Sequence, residues 1–247
     1  MTAKGMDTFK PVSIVNPNDD GSEFFCVVAS DDEAAEEDIV IQPGLGWGEG
    51  EHPSTYLCLQ FTSEQVAAKD SPTFLDYGTG SGVLAICAKK FGAGRVVGID
   101  KDDEILDHAR ENARLNNMED VEFLNGRELM PSSSGLYIAD AFSAVTFDVV
   151  CANMLPAALC KLASSISLGV KEDTGVLGLS GIRHEQVDVV KASFAKHGIV
   201  FETERRREGA APGAEWTEYV LLTGRRPRRS EEEQRAYAAF LAESAVT

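Results

Sequence analysis

From Thr73 onward, short runs of β-branched and aromatic residues alternate with stretches whose apolar positions recur at helical spacing. "TFLDY", "RVVGID", "VEFLN", "FDVVCANML" and "TGVLGLSGI" read as strands. "GVLAICAKKFG", "DEILDHARENARLNN", "AALCKLASSISLGV" and "EQVDVVKASFAKHG" read as the helices between them. Near-continuous apolar strands separated by amphipathic helices predict an α/β fold, a parallel sheet covered on both faces. "IVFETERRREG" and "EWTEYVLLTGRR" follow each other with no helix between, which predicts an antiparallel pair at one end of that sheet. Upstream, "VSIV", "EFFCVV" and "DIVIQ" predict a small antiparallel piece. The glycine-rich "PGLGWGEGEHPST" then leads through Pro53 and Ser54 into a helix. "PSSSGLYIADAFSA", at 131–144, has little periodicity and reads as a loop. The tail carries a capping box, Ser230 to Glu233, and places Tyr237, Phe240 and Leu241 at helical spacing. The expected organisation is a β-rich extension over 1–43, a main domain over 44–224, and a basic segment with a helix over 225–247.

Composition narrows the classes. A chain of 247 residues with 43% hydrophobic content supports one large α/β domain and a small appendage. No apolar stretch approaches the roughly 20 residues needed to cross a bilayer, and the first ten residues lack the apolar segment of a signal peptide. The expectation is a soluble protein of the cytoplasm or an organelle, with no membrane partner. Five cysteines without C-x-x-C spacing read as reduced core residues, and no metal is expected. A formal net charge of −17 argues against direct grip on nucleic-acid phosphates and suits a basic partner or a cationic ligand. The basic runs at 205–207 and 224–229 read as solvated faces.

The candidate chemistry begins where "FLDY" runs into glycine. Gly78, Gly80 and Gly82 form G-x-G-x-G between a strand and a helix, where open α/β sheets bind nucleosides. A nicotinamide fingerprint needs its third glycine three positions after the second, and Val83 stands there. Asp76 weighs further against a pyrophosphate, because its carboxylate repels phosphate and attracts an ammonium or a sulfonium. S-adenosylmethionine carries both cations and no phosphate. Asp100 ends the next strand, 18 residues after Gly82, where an acid accepts hydrogen bonds from ribose hydroxyls. Asn153, in "CANMLP", presents a side-chain amide at the same edge, with an oxygen able to orient an amine.

Those residues carry a resemblance. "QPGLGWGEGEHPSTYLCLQF", "FLDYGTGSGVLAICAKKFGAGRVVGID", "ARENARLNN", "ANML", "GLSGI" and "EWTEYVLLTGRR", in this order, resemble the bacterial ribosomal protein methyltransferase family PrmA over about residues 40–224. The resemblance implies a class I (Rossmann-like) methyltransferase: a doubly wound, seven-stranded, mostly parallel sheet with an antiparallel final strand. It implies methyl transfer from S-adenosylmethionine, leaving S-adenosylhomocysteine, to lysine and N-terminal amines of a basic ribosomal protein. Cofactor contacts carried over fall on Thr55, Gly78, Asp100 and Asn153, with Asp76 and Gly80 lining the pocket and Gly82 closing the loop. Adenine is then expected near Asn125. His52 and Glu51 are candidates for taking the acceptor's proton or for closing the loop over the cofactor, with a structural hydrogen bond in the loop as the other reading of His52, and Trp47 is a candidate for walling the methyl site.

Three departures bear on the acceptor. Glu49 stands where the family loop carries a hydroxyl, and Met154 and Pro156 replace isoleucine and alanine in the strand-four motif. Family members also carry a small N-terminal recognition domain, for which about 40 leading residues are too few. A small-molecule N- or O-methyltransferase, sharing every cofactor residue, is therefore the alternative. A noncatalytic cofactor-binding module is the third class, disfavoured by the joint presence of Asn153 and the Trp47–Thr55 loop.

Overall fold

A computed structural model of the protein describes residues 12–15, 23–29, 34–36, 38–42, 52–127, 146–209, 216–230, 232–233, 235 and 237. Three strands come first: β1 (Val12–Val15), β2 (Glu23–Ala29) and β3 (Ile39–Ile41). The main body follows as α1 (Pro53–Ala67), β4 (Thr73–Tyr77), α2 (Val83–Lys90), β5 (Arg95–Asp100), α3 (Asp103–Leu115) and β6 (Glu122–Asn125). It continues with β7 (Val149–Asn153), α4 (Pro156–Gly169), β8 (Val176–Arg183), α5 (Val187–Ala195), β9 (Val200–Gly209) and β10 (Thr217–Arg225).

The seven-stranded sheet has the order β6-β5-β4-β7-β8-β10-β9. β10 runs antiparallel to both neighbours, while the pairs among β4 to β8 are parallel. This is the expected class I arrangement, and the order reverses between β4 and β7. Crossovers that leave opposite ways from two adjacent strands open a crevice at their carboxyl ends. One apolar core packs α1, α2 and α3 on one face of the sheet; a second packs α4 and α5 on the other. β4 shows why its strand reads as continuously apolar: Phe74 joins the first core and Leu75 and Tyr77 the second, so no position faces water. α1 is buried around most of its circumference, with Leu57, Cys58, Leu59 and Phe61 all nearly inaccessible.

The N-terminal strands differ from expectation. β1 and β2 are antiparallel, but β2 and β3 are parallel, in the register Val27↔Ile39, Val28↔Val40, Ala29↔Ile41. Ile14, Val27, Ile39 and Ile41 are fully buried in the α1–α2–α3 core. β3 is thus held by β2 on one edge and by the Asn116 side chain, at the C-terminus of α3, on the other. The loop read at 131–144 lies outside the described residues. The capping box of the tail is formed: the Ser230 backbone N–H donates to Glu233 Oε2 at 2.7 Å, and the Glu233 N–H to Ser230 Oγ at 3.3 Å. Tyr237 sits beneath the Arg229 guanidinium, its hydroxyl 3.0 Å from His197 Nδ1, so this residue packs on the domain.

Candidate active site

The turn after β4 is built by backbone conformations that favour glycine. Gly78, Gly80 and Gly82 have φ of 83°, 52° and 81°. A Cβ on Gly78 would also lie 2.7 Å from Met154 Sδ, so the loop lies directly against the end of β7. The N–H groups of Gly78 and Thr79 both donate to Ile99 O, at 2.8 and 2.9 Å, and Gly80 N–H donates to Asp100 Oδ2 at 3.2 Å. Asp100 Oδ1 accepts from Lys101 N–H at 2.7 Å. Gly82 is the N-cap of α2 and provides no side chain to cap it. The positive end of that helix is thus open to a ligand.

Asp76 is completely buried. Its Oδ2 accepts from the Thr79 hydroxyl at 2.8 Å, whereas Oδ1 has no hydrogen-bond partner. Burial pushes its carboxyl up to about 7, against the pull of the Thr79 hydroxyl and with the help of Asp100's negative charge. Neither Asp76 nor Asp100 has an ion-pair partner among the described residues. Two carboxylates that repel, one of them with an orphan oxygen, make a site short of positive charge.

The sign of the pH effect follows. The native state holds Asp76's proton up to about pH 7 and the unfolded chain loses it near 3.8, so stability falls as pH rises through that window. The full effect is on the order of 4 kcal/mol. Urea unfolding from pH 4 to 8 is expected to show this loss in the wild type and to lack it in Asp76→Asn. Parallel profiles for the two proteins would contradict the assignment.

A third element comes from α1. Asn153 ends β7, and its Nδ2 donates to Thr55 Oγ1 at 3.1 Å. That bond commits the amide nitrogen and leaves Oδ1 as the acceptor. Thr55 is 2% exposed and held in the first turn of α1, whose N-cap is His52 and whose N1 residue is Pro53. His52 Nδ1 accepts from the Ser54 N–H at 3.2 Å and lies 2.7 Å from Ser54 Oγ. The ring also packs edge-on against Tyr219 of β10, with centroids 4.4 Å apart. Burial lowers its pKa, so the neutral ring that can serve as a cap is the favoured form.

His52 thus reaches the site first as a support: it caps the helix that holds Thr55, which orients Asn153. His52→Ala is expected to cost about 1 kcal/mol of stability. His52→Asn retains a capping oxygen and separates the roles. Intact stability with a lost turnover in His52→Asn would assign proton transfer to the ring, and intact turnover would confine His52 to capping.

A glycine loop at a switch point, two acids without a cationic partner among the described residues and an amide held by α1 thus meet at the carboxyl ends of β4, β5 and β7. The profile of the ribosomal protein L11 methyltransferase (PrmA) family matches residues 2–217. The chain belongs to the PrmA family. The ribosomal protein L11 methyltransferase of Cupriavidus metallidurans is 36% identical over 222 residues, which is 89% of this chain and 62% of its own length. That of Dictyoglomus thermophilum is 36% identical over 171 residues, 69% of this chain and 52% of its own. The chain thus spans roughly half to three fifths of the length of these relatives. A crystal structure of ribosomal protein L11 methylase from Lactobacillus delbrueckii subsp. bulgaricus superposes with a TM-score of 0.65 at 26% identity, covering 84% of this chain and 96% of that one.

Other family positions fall as follows. Asn125 lies beside Asp100 in the β5–β6 register; its Nδ2 donates to Asp103 Oδ1 at 2.7 Å, and its Oδ1 accepts from Arg127 N–H at 2.9 Å. Trp47, Glu49 and Glu51 lie outside the described residues. The PrmA-like "GLSGI" acquires a reason: Ser180 pairs with Asn153, Ser180 O accepts from Met154 N–H at 3.2 Å, and Gly181 at φ 80° meets the Met154 backbone. Sequence reasoning missed the part of Gly181, whose signal was an isolated glycine near the end of a strand.

The basic runs are not simply solvated. Arg205 forms two hydrogen bonds with Glu64 of α1, at 2.7 and 2.5 Å, and Arg207 stacks 3.4 Å from the Tyr56 ring centroid. Arg226 donates to Leu168 O and Val170 O and pairs with Glu172. These arginines fasten β9 to α1 and the chain after β10 to the end of α4, using stems as well as charges. At the other end of the β9–β10 pair, Glu208, Trp216, Thr217 and Glu218 line a cleft of about 240 Å³. It lies on the same edge of the sheet as Asn153.

Proposed function

We propose that this PrmA family member binds S-adenosylmethionine across the carboxyl ends of β4 and β5 and methylates an amine. The acceptor is a lysine side chain or N-terminal amine of a basic, ribosomal-protein-like substrate; that its relatives are ribosomal protein L11 methyltransferases supports a protein acceptor of this kind. The observation that carries the reading is the fully buried Asp76, with one orphan oxygen, near Asp100, which has no cationic partner among the described residues. These residues fit a ligand that is cationic and rich in hydroxyls, and they oppose a pyrophosphate.

When bound, the cofactor supplies a methyl group already activated on a sulfonium. The protein's own contribution is positioning, which can be worth roughly 7–11 kcal/mol. Asp100 accepts from ribose hydroxyls while keeping Gly80 in place. Asp76 balances the cationic end and stays ionised when it does. Asn153 Oδ1 accepts from the incoming amine and aims its lone pair. An amine with a reference pKa of about 10.4 must shed a proton before it reacts. The Glu208 carboxylate, beside Trp216, suits a basic acceptor approaching from the β9–β10 side, whereas Glu218 is already paired with Arg206 at 3.1 Å.

The test is calorimetric titration of S-adenosylmethionine at pH 7 in buffers of different ionisation enthalpy. Binding is expected in a 1:1 ratio, with release of a fraction of a proton that disappears in Asp76→Asn. No binding of the cofactor or of S-adenosylhomocysteine would reject the reading.

A further inference from the structure

Of the asparagines in "ARENARLNN", Asn112 of α3 and Asn116, its C-cap, face β3 and the residue after it. Asn116 pairs with both backbone polar groups of Val40: Val40 N–H donates to Oδ1 at 2.9 Å, and Nδ2 donates to Val40 O at 2.7 Å. A side-chain amide here takes the place of a neighbouring strand and satisfies an edge that would otherwise carry unpaired groups. Nδ2 also donates to Asn112 O at 2.7 Å, which locks the two residues together. Asn112 is fully buried and divides its bonds between two structures. Its Oδ1 accepts from Gln42 N–H at 2.8 Å, just beyond β3, and its Nδ2 donates to Ser81 O at 2.8 Å, inside the glycine loop.

We infer that Asn112 is a positioning residue that couples the N-terminal sheet to the cofactor loop. The amide is planar and rigid, so Ser81 O and Gln42 N cannot move independently without leaving a buried polar group unpaired. Ser81 stands between Gly80, which is held by Asp100, and Gly82, which starts α2. Gln42 stands at the entrance to the segment that carries Trp47, Glu49 and Glu51. A ligand that steadies the glycine loop therefore steadies Gln42 through Asn112. By linkage, whatever docks the N-terminal sheet more firmly tightens cofactor binding by the same factor. The inference rests on the proposed cofactor site, because the ligand that steadies the loop is that cofactor.

The test is amide hydrogen exchange of the full chain with and without S-adenosylhomocysteine, resolved at Val40 and Gln42, together with affinities of two variants. In the wild type the ligand is expected to slow exchange at Gln42 several-fold. Asn112→Ala is expected to abolish that slowing and to weaken S-adenosylhomocysteine binding by about tenfold, the scale of losing a buried hydrogen bond. Asn116→Ala loosens Val40 but keeps the bond to Ser81, and its affinity is expected to stay within about threefold of wild type. Unchanged exchange at Gln42 on binding, or equal affinity losses in the two variants, overturns the coupling. A wild type that binds no S-adenosylhomocysteine overturns the cofactor reading and the coupling with it. The exchange measurement needs no variant, so an Asn112→Ala protein that fails to fold leaves the test intact.

Discussion

Gly181→Ala lowers the stability of the protein by about 2–4 kcal/mol, the sum of left-handed strain and a clash with backbone. At φ 80° an added Cβ would lie 2.8 Å from Met154 C and 3.0 Å from Met154 N, and would press on the Met154 carbonyl as well. A flexible side chain could turn away, but these are main-chain atoms between Asn153 and the start of α4. For a chain of this size the melting temperature is expected to fall by roughly 5–15 °C. Gly92→Ala is the comparison: its φ is 99°, yet its Cβ would have nothing within 4 Å. It carries strain alone and is expected to cost about 1 kcal/mol. Similar melting temperatures for the two variants would show that β8 does not hold the end of β7.

Asp100→Ala is the second large effect, and it falls on binding rather than folding. The carboxylate accepts backbone N–H groups from Gly80 and Lys101 and is placed to accept ribose hydroxyls. Hydrogen bonds to a charged acceptor contribute about 1.5–3 kcal/mol, so affinity for S-adenosylhomocysteine is expected to drop roughly 10- to 150-fold. The side chain is partly exposed and belongs to neither core, so the melting temperature is expected to shift little. Titration of the variant beside a thermal scan checks both. Unchanged affinity would remove Asp100 from the ribose site.

The main sheet was legible because its central strands β4, β5, β7 and β8 are buried on both sides while α3 is buried along one face, and that difference is written in apolar spacing. Asp76 was legible for the opposite reason, as a carboxylate at the end of a run that otherwise admits no charge. β3 was read as antiparallel, but it runs parallel to β2, and the backbone groups that face away from β2 are met by Asn112 and Asn116, about 70 residues away in sequence. Local pattern does not report such contacts. The basic runs misled for a similar reason: Arg205 and Arg207 look solvated until α1 brings Glu64 and Tyr56 beneath them. His52 showed only that an imidazole stands near a helix start, and its capping geometry required the turn itself.

The central claim is methyl transfer to an amine of a basic protein. Methyl-labelled S-adenosylmethionine, incubated with this protein and fractionated cell extract, tests it most directly when the labelled site is located by mass spectrometry. Label on lysine or N-terminal amines of a basic protein, lost in Asn153→Ala, is the expected result. Label confined to small metabolites, or protein label unaffected by Asn153→Ala, would contradict it.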